Sequence, residues 1–506
     1  MVVGRVLVAA VFAAALPAAG LPVHGPPRLV AQVPSGGFVS QMATADFNGD
    51  RLPDLVVTRS VFQGQATFPI TILLNNGHGG FRDGTAEMVA GAVPQTQNAR
   101  EIVIADFNGD GRPDIFIADT GDDQPPYPGY KNTLVLSTPD GKLRDASTNL
   151  PPESGFTHTA AAADVNGDGS VDLYVGNIGG GDGTPPRILL NDGTGRFTPG
   201  APLPAAQTQN ETAGRYTSSL FVDVNGDGSP DLILGAEDHT RQPAVLMNDG
   251  RGHFSLLPNA IPAKPFASTA IALDIASADL NGDGHPDLLI AFTKGEPFYV
   301  GRWIQVLINN GDGTFRDETP KRLPQADNSS AWPIFLRILD LDGNGTPDIA
   351  VQLGGEYEAP PFYLNKGDGT FRAAPASFGN RLYNLYAILN VTGHTGRDFV
   401  TISPESHGVF VLPELTTPST PSGVRSTRGT LASGVRISWR PIPNADTYEV
   451  WRAPTRIGRY ARIARTTKTS YVDQTARRGR TFFYSVRAIN AAGKSAPSPP
   501  VSGFRR

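Results

Sequence analysis

The residues best equipped for chemistry are acidic, and they share one spacing. Asp106-Phe-Asn108-Gly-Asp110-Gly-Arg112-Pro-Asp114 sets oxygen side chains at positions 1, 3, 5 and 9 around glycines at 4 and 6, a pattern able to fold back on one hard cation. The chain writes this loop six times: the others are Asp46/Asn48/Asp50/Asp54, Asp164/Asn166/Asp168/Asp172, Asp223/Asn225/Asp227/Asp231, Asp279/Asn281/Asp283/Asp287 and Asp340/Asp342/Asn344/Asp348. Position 7 is Leu52, Arg112, Ser170, Ser229, His285 or Thr346, and side chains so unrelated suit a ligand offered by the backbone carbonyl. Carboxylates brought within about 4 Å of one another repel by several kcal/mol per pair at an effective dielectric of about 20. The chemistry implied is therefore coordination of Ca²⁺ at about six sites. Six solvated acidic turns without an ion are the plainer alternative, and aspartate at both 1 and 9 in every copy argues against it.

The residues after each loop say what positions it. An EF-hand closes on glutamate at position 12 between two helices. Here aspartate closes at 9 and leads into Leu55-Val-Val, Ile115-Phe-Ile, Leu173-Tyr-Val, Leu232-Ile-Leu, Leu288-Leu-Ile or Ile349-Ala-Val, which read as buried strands. The first aspartates, at 46, 106, 164, 223, 279 and 340, are 60, 58, 59, 56 and 61 residues apart, the period of a repeat architecture. Each repeat adds a glycine-rich hairpin closed by an aromatic residue, as in Leu307-Ile-Asn-Asn-Gly-Asp-Gly-Thr-Phe315, with weaker letters at Leu134–Leu143. Strand, loop, strand, variable connection, strand, hairpin, strand is one blade of a β-propeller. A seventh, eroded copy runs from Asn390 to Asp398 and is not expected to hold an ion; it lacks the hairpin and fourth strand, and Arg28–Val33 is expected to supply that strand and close the ring.

With these motifs in place, the region from roughly Ala31 to Pro413 resembles the FG-GAP, or VCBS, repeats found in the propeller of integrin α subunits and in many secreted bacterial proteins. Arg51 in place of glycine, Val171 in place of proline and the seventh copy are departures from the pattern. The resemblance implies a seven-bladed β-propeller over 21–415 with its calcium loops on one face and the connections between second and third strands on the other. Several of those connections are acidic or aromatic: Asp122-Asp-Gln-Pro-Pro-Tyr127, Glu237-Asp-His239, Glu296-Pro-Phe-Tyr299 and Glu356-Tyr-Glu358. A solvated rim of unrelated loops is the plain reading of them, and a ligand site the sharper one. His158, Arg215, Tyr216 and Trp332 stand at or just before the start of inner strands, as packing residues or as the lining of a central pocket.

Residues 416–421 form a proline-rich linker, and 422–506 resembles a fibronectin type III sandwich with Trp439 in its core. Its corner tyrosine aligns with Phe482, so the hydrogen bond of that corner is expected to be missing. The fold class is thus all-β, which 57 glycines and 44 prolines also favour.

Residues 1–20 have the basic start, short apolar run and small-residue end of a signal peptide, and no later stretch is long and apolar enough to span a membrane. The expected location is secreted, extracellular or cell-surface, with the periplasm also compatible. With 0 cysteines, calcium takes the place of disulfides as the staple. The net charge of -5 hides a division, since the residues from Leu415 onward hold 17 Lys+Arg and only 3 Asp+Glu. That basic domain offers a surface for an anionic polymer; specific nucleic-acid binding is not expected.

No nucleophile elbow, zinc-binding helix motif or phosphate loop is present. The expectation is a non-enzymatic binding or adhesion module for an extracellular protein or carbohydrate. Its alternatives are a carbohydrate-active lyase or hydrolase and a structural component of a surface assembly.

Overall fold

The computed structural model describes residues 24–506 except 62, 180, 209–215, 237–240, 264, 266–268, 324–330, 355–361, 375–384, 392–396 and 404–406. The leader expected at 1–20, Arg215, the acidic stretches at 237–239 and 356–358 and the middle of the eroded seventh copy lie outside the described residues. The chain forms two compact bodies, Pro27–Val411 and Leu412–Arg506, the latter with residues 24–26.

In the first body, the short strands form seven four-stranded antiparallel sheets. The third is typical: Thr157–Ala163, Asp172–Asn177, Arg187–Asn191 and Phe197–Pro199 follow one another from inner to outer edge. The seventh takes Leu385–Leu389, Asp398–Ile402 and Gly408–Leu412 from the end of this body and Arg28–Gln32 from its start as the outer strand, with Arg28 opposite Val411. Inner strands of the first six sheets touch in succession, and the first sheet's inner strand also touches the seventh's. This is a seven-bladed β-propeller closed by its N-terminal strand.

The three-residue apolar runs follow from this stacking. A second strand lies between two neighbouring blades, so both its faces are covered and alternation disappears. Leu173 and Val175 pack toward the preceding blade with Phe107, Phe116 and Leu134, while Tyr174 packs toward the following blade with Leu232 and Leu234. Ile115, Phe116 and Ile117 divide in the same way. Each large side chain so buried contributes about 1.5–3 kcal/mol. Phe116 and Tyr174 have 0% of their surface exposed. The residue opening the outer strand, such as Phe81, Phe197 or Phe315, is buried as well and closes the wedge between blades.

The second body is a two-sheet sandwich. Arg425–Ser426, Val435–Ser438 and Ser470–Asp473 form one sheet; Ala461–Thr466, Thr447–Ala453, Thr481–Asn490, Gly493–Lys494 and Val501–Phe504 form the other. Val435, Ile437, Trp439, Tyr448, Val450, Tyr484 and Val486 fill the space between them. Phe482 has no hydroxyl to give, yet the hydrogen bond expected to be missing has a counterpart two residues on: the buried Tyr484 hydroxyl donates to Asp473 Oδ2 at 2.9 Å. Thr416, expected in the linker, gives its carbonyl to the side-chain amides of Asn490 at 2.8 Å and Asn444 at 3.1 Å.

Candidate metal centres and the opposite rim

In a four-stranded antiparallel blade, the first and third connections share one end and the second lies at the other. Each aspartate-rich loop therefore meets its own glycine-rich hairpin. A Cβ on hairpin glycines 77, 141, 193, 250 or 311 would come within 3.0–3.2 Å of the position-7 side chains Leu52, Arg112, Ser170, Ser229 or His285. These glycines all have positive φ. Position 7 tolerates unrelated side chains because each need only lie over a bare backbone.

Within the loops, the acidic side chains organise the turn. The carboxylates at position 1 of five loops (Asp46, Asp164, Asp223, Asp279 and Asp340) accept the position-4 N–H at 2.7–2.8 Å. Asp106 accepts the N–H groups of Asp110 and Gly111. Asn48, Asn108, Asn166, Asn225, Asn281 and Asp342 each accept the N–H two residues ahead. Position 5 repeats the device: Asp50, Asp110, Asp168, Asp227, Asp283 and Asn344 accept the N–H of position 7. Arg51 is held at φ 69, where the other loops have glycine, and still donates its N–H to Asp46 Oδ2 at 2.7 Å.

Position 9 is different. Asp54, Asp114, Asp172, Asp231, Asp287 and Asp348 open the second strands and are 0% exposed. One oxygen accepts the position-2 N–H at 2.7–3.1 Å, and the other accepts the N–H of the residue ending the third strand at 2.6–2.9 Å. Asp398 of the seventh blade keeps the first bond, to Val391, at 2.9 Å. Burial pushes the carboxyls of Asp54, Asp114, Asp172, Asp231 and Asp287 up to about 6, and Asp348 up to about 7, against the pull of those N–H groups. For Asp54, Asp172, Asp231 and Asp287, repulsion from positions 1 and 5 adds to the rise.

A buried carboxylate crowded by like charges fits a site meant to receive a cation. The carboxylates of Asp340, Asp342 and Asp348 lie within 4.8 Å of one another, the one such trio among the described residues. Asp340 also carries an ion pair with Arg397, 2.8 Å away. The other five loops have asparagine at position 3, so carbonyl oxygen and three carboxylates make the donor set, hard oxygen throughout.

The residue closing the third strand has a role that the hairpin motif did not announce. Asn191, Asn248, Asn309 and Asn365 are buried, and their side-chain amides donate to the position-8 carbonyl of their own loop at 3.0–3.1 Å. Each also reaches the preceding blade, donating to the position-2 carbonyl of Phe107, Val165, Val224 or Leu280 at 2.7–3.1 Å. These asparagines latch one blade's loop to the next. Their recurrence one residue before the hairpin was visible in the sequence; the partner more than eighty residues away was not.

At the opposite end, the acidic connection is engaged within the protein. Asp123 pairs with Arg100, and Asp122 accepts the N–H of Gly64. Tyr216 is buried in the core between blades. His158 packs against Phe156, which meets Tyr127 edge-on. Phe298 stacks on Tyr299 at 4.2 Å between ring centres, and Tyr299 stacks on Trp332 of the next blade at 5.9 Å. Phe298 is 64% exposed.

Comparison with known proteins agrees with the repeat. The model of the FG-GAP-like repeat matches residues 46–117, 106–175, 223–290 and 279–351, each window opening on the first aspartate of a loop, and together just over half of the chain. The chain belongs to the FG-GAP-like repeat family. Among relatives, cartilage acidic protein 1 of Mus musculus is 26% identical over 215 residues, 42% of this chain and 31% of that protein. Integrin alpha-7 of Homo sapiens is 27% identical over 250 residues, 47% of this chain and 19% of its own length. Phosphatidylinositol-glycan-specific phospholipase D of Homo sapiens is 33% identical over 157 residues, 28% of this chain and 18% of that enzyme. The chain spans less than a third of the length of each of these relatives. A crystal structure of a Fn3-like protein from Clostridium thermocellum matches 18% of this chain and 96% of its own, at 24% identity and a TM-score of 0.17.

Proposed function

We propose that this protein is an extracellular adhesion-type module: a propeller stabilised by calcium on one end and taking a protein or carbohydrate ligand on the other. The stack of Phe298, Tyr299 and Trp332 carries this reading. It bridges two blades at the end away from the aspartate-rich loops and leaves Phe298 64% exposed. Large exposed aromatics in contact with one another are costly to solvate and are typical anchors of binding surfaces.

Calcium would be held by Asp46, Asp106, Asp164, Asp223, Asp279 and Asp340 with their loop partners at positions 3, 5, 7 and 9. Bound there, the ion supplies positive charge to carboxylates that burial and mutual repulsion leave strained. The leader-like residues 1–20 and the cartilage acidic protein and integrin relatives support an extracellular setting. The match to the phospholipase covers 18% of that enzyme and supports no catalytic reading by itself.

The test is a screen of the calcium-loaded protein against arrayed glycans and extracellular matrix proteins, repeated with Phe298→Ala and Tyr299→Ala. A ligand retained by the parent and lost by both variants supports the assignment. Ligands bound equally by parent and variants would show that binding happens elsewhere.

A further inference from the structure

The C-terminal body carries a groove that the propeller reading does not use. It is lined by Trp451, Tyr460, Ser485, Arg487 and the run Pro497–Pro500, with a volume of about 470 Å³. That lies within the range of small-ligand sites, about 300–1,000 Å³. Along Thr447–Ala453, Tyr448 and Val450 point into the sandwich core, so Glu449 and Trp451 fall on the outer face of the sheet. Ser485 and Arg487 fall on the same face of the neighbouring strand, where Trp451 pairs with Ser485 and Glu449 with Arg487.

The walls of this groove are fixed by bonds of their own. Trp451 Nε1 donates to Glu449 Oε2 at 3.2 Å, and the Tyr460 hydroxyl donates to the Arg456 carbonyl at 3.1 Å. The Ser485 hydroxyl donates to the Ser498 carbonyl at 2.8 Å, and Ser498 Oγ accepts the Val486 N–H at 3.0 Å, which pins the proline run beside the strand. The aromatic faces and the proline surface are thus set before any ligand arrives.

The charge of the groove is not balanced internally. Glu449 is 1% exposed and already paired with Arg462 at 2.9 Å and Lys494 at 3.0 Å. Asp473 is paired with Arg452. From Leu415 onward the chain has 3 Asp+Glu against 17 Lys+Arg, so two of the three acids are committed to other cations. Arg487 stands half-buried in the groove, and no carboxylate among the described residues is paired to it.

We propose that this groove is a binding subsite for an acidic saccharide, with a sugar ring laid on Trp451 and its carboxylate or sulfate on Arg487. A flat apolar platform with one unpaired guanidinium beside it matches a ring whose charge lies in its plane. Arg462 and Lys494, both about half exposed, continue the positive track for further sugar units.

The test uses the full calcium-loaded chain in titration calorimetry at physiological salt, with hexagalacturonate, a heparin hexasaccharide and neutral cellohexaose as probes. At least one acidic hexamer binds, and which one separates a carboxylate ligand from a sulfate ligand. Cellohexaose binds at least about tenfold more weakly. Trp451→Ala and Arg487→Gln each weaken the acidic hexamer about tenfold, while Arg436→Gln, an exposed arginine on the other sheet, changes it by less than about twofold. Trp451→Phe, which keeps an aromatic face and guards against misfolding of the alanine variant, recovers most of the affinity. Failure of both acidic hexamers to bind overturns the proposal, as does equal binding of cellohexaose. Equal losses in Arg436→Gln and Arg487→Gln would mean diffuse attraction of charge and overturn it too.

Discussion

Asn309 and Asn310 are adjacent asparagines in one hairpin, and the latch predicts opposite outcomes for them. Asn309 is 2% exposed. Its side chain donates to Val224 O at 2.9 Å in the preceding blade and to Pro286 O at 3.0 Å in its own, and accepts the Gly311 N–H at 2.8 Å. Alanine removes all three bonds and leaves two buried carbonyls and one N–H without them. At about 0.5–1.5 kcal/mol for each bond, the expected loss is about 2–4 kcal/mol. Asn309→Asp should be at least as damaging, because a carboxylate oxygen then faces the two carbonyls. The exposed Asn310 makes its side-chain bonds at the surface, to Thr314 and Arg316, and its alanine variant should cost no more than about 0.5 kcal/mol. The assay is chemical denaturation followed by far-ultraviolet circular dichroism, in saturating calcium and after metal depletion. The Asn309→Ala cost should survive both conditions, since none of its bonds runs through an ion. A cost below about 0.5 kcal/mol, or equal costs for the two alanine variants, would refute the latch.

The position-9 aspartates make a pH prediction. Their folded-state carboxyls are raised, so their protonated form stabilises the metal-free fold below the ordinary carboxylate range, and that contribution is lost as pH rises through about 6, or about 7 for Asp348. On the proposed calcium binding, the ion would restore charge balance only to the ionised form, so the gap in melting temperature between calcium-loaded and calcium-depleted protein should be wide at pH 7.5 and narrow toward pH 5; a gap independent of pH would contradict it. Arg51 adopts a left-handed conformation that costs a non-glycine residue about 1–2 kcal/mol, so Arg51→Gly should raise the propeller's stability by up to that amount in denaturant titration. Tyr484→Phe removes a hydroxyl bond to the buried, charged Asp473 and should destabilise the C-terminal body by about 1.5–3 kcal/mol, read from its own unfolding transition. Little change there would mean that Arg452 and Thr475 hold Asp473 unaided.

What the sequence made legible was everything that repeats within one blade. The aspartate spacing, the apolar triplets after it and the hairpin glycines each express a local constraint, and Arg28–Gln32 could be foreseen as the seventh blade's outer strand because that copy visibly lacked one. What stayed hidden was pairing at a distance. No local pattern indicates that Asn248 reaches Val165, or that Asp123 is tied to Arg100 and so withdrawn from the rim. The aromatic stack was half legible: Phe298 and Tyr299 stood out in their connection, but their alignment with Trp332 of the next blade needs the ring. In the C-terminal body, the sequence shows that Phe482 has no hydroxyl for a corner hydrogen bond. The substitute at Tyr484 depended on Asp473 ending a strand of the opposite sheet.

The blade seams explain how so regular a repeat tolerates irregular members. At four seams an asparagine grips the position-2 carbonyl of the preceding loop. Where the first blade meets the seventh, the same kind of carbonyl, Val391 O, is taken by the Gly79 N–H at 2.8 Å. The seventh blade has no hairpin to supply an asparagine; there Arg397 reaches back to the sixth loop, donating to Asp340 O at 2.8 Å and pairing with its carboxylate. Blade 2 has Ser137 at the latch position, and its hydroxyl bonds Asp110 and Asp114 within its own loop. The seam between blades 1 and 2 is tied instead farther out, by Lys142 Nζ to Glu87 O and by the Ala90 N–H to Leu143 O, both at 2.8 Å. A buried carbonyl must find a donor wherever the ring places it, but the donor's identity is free. Selection can therefore change the latch residue of one blade without disturbing the next, provided each seam keeps a bond. The aspartate at position 9 has no such freedom, because its own loop and the third strand hydrogen-bond to its two oxygens, and it survives even in the seventh blade after the rest of the loop has eroded.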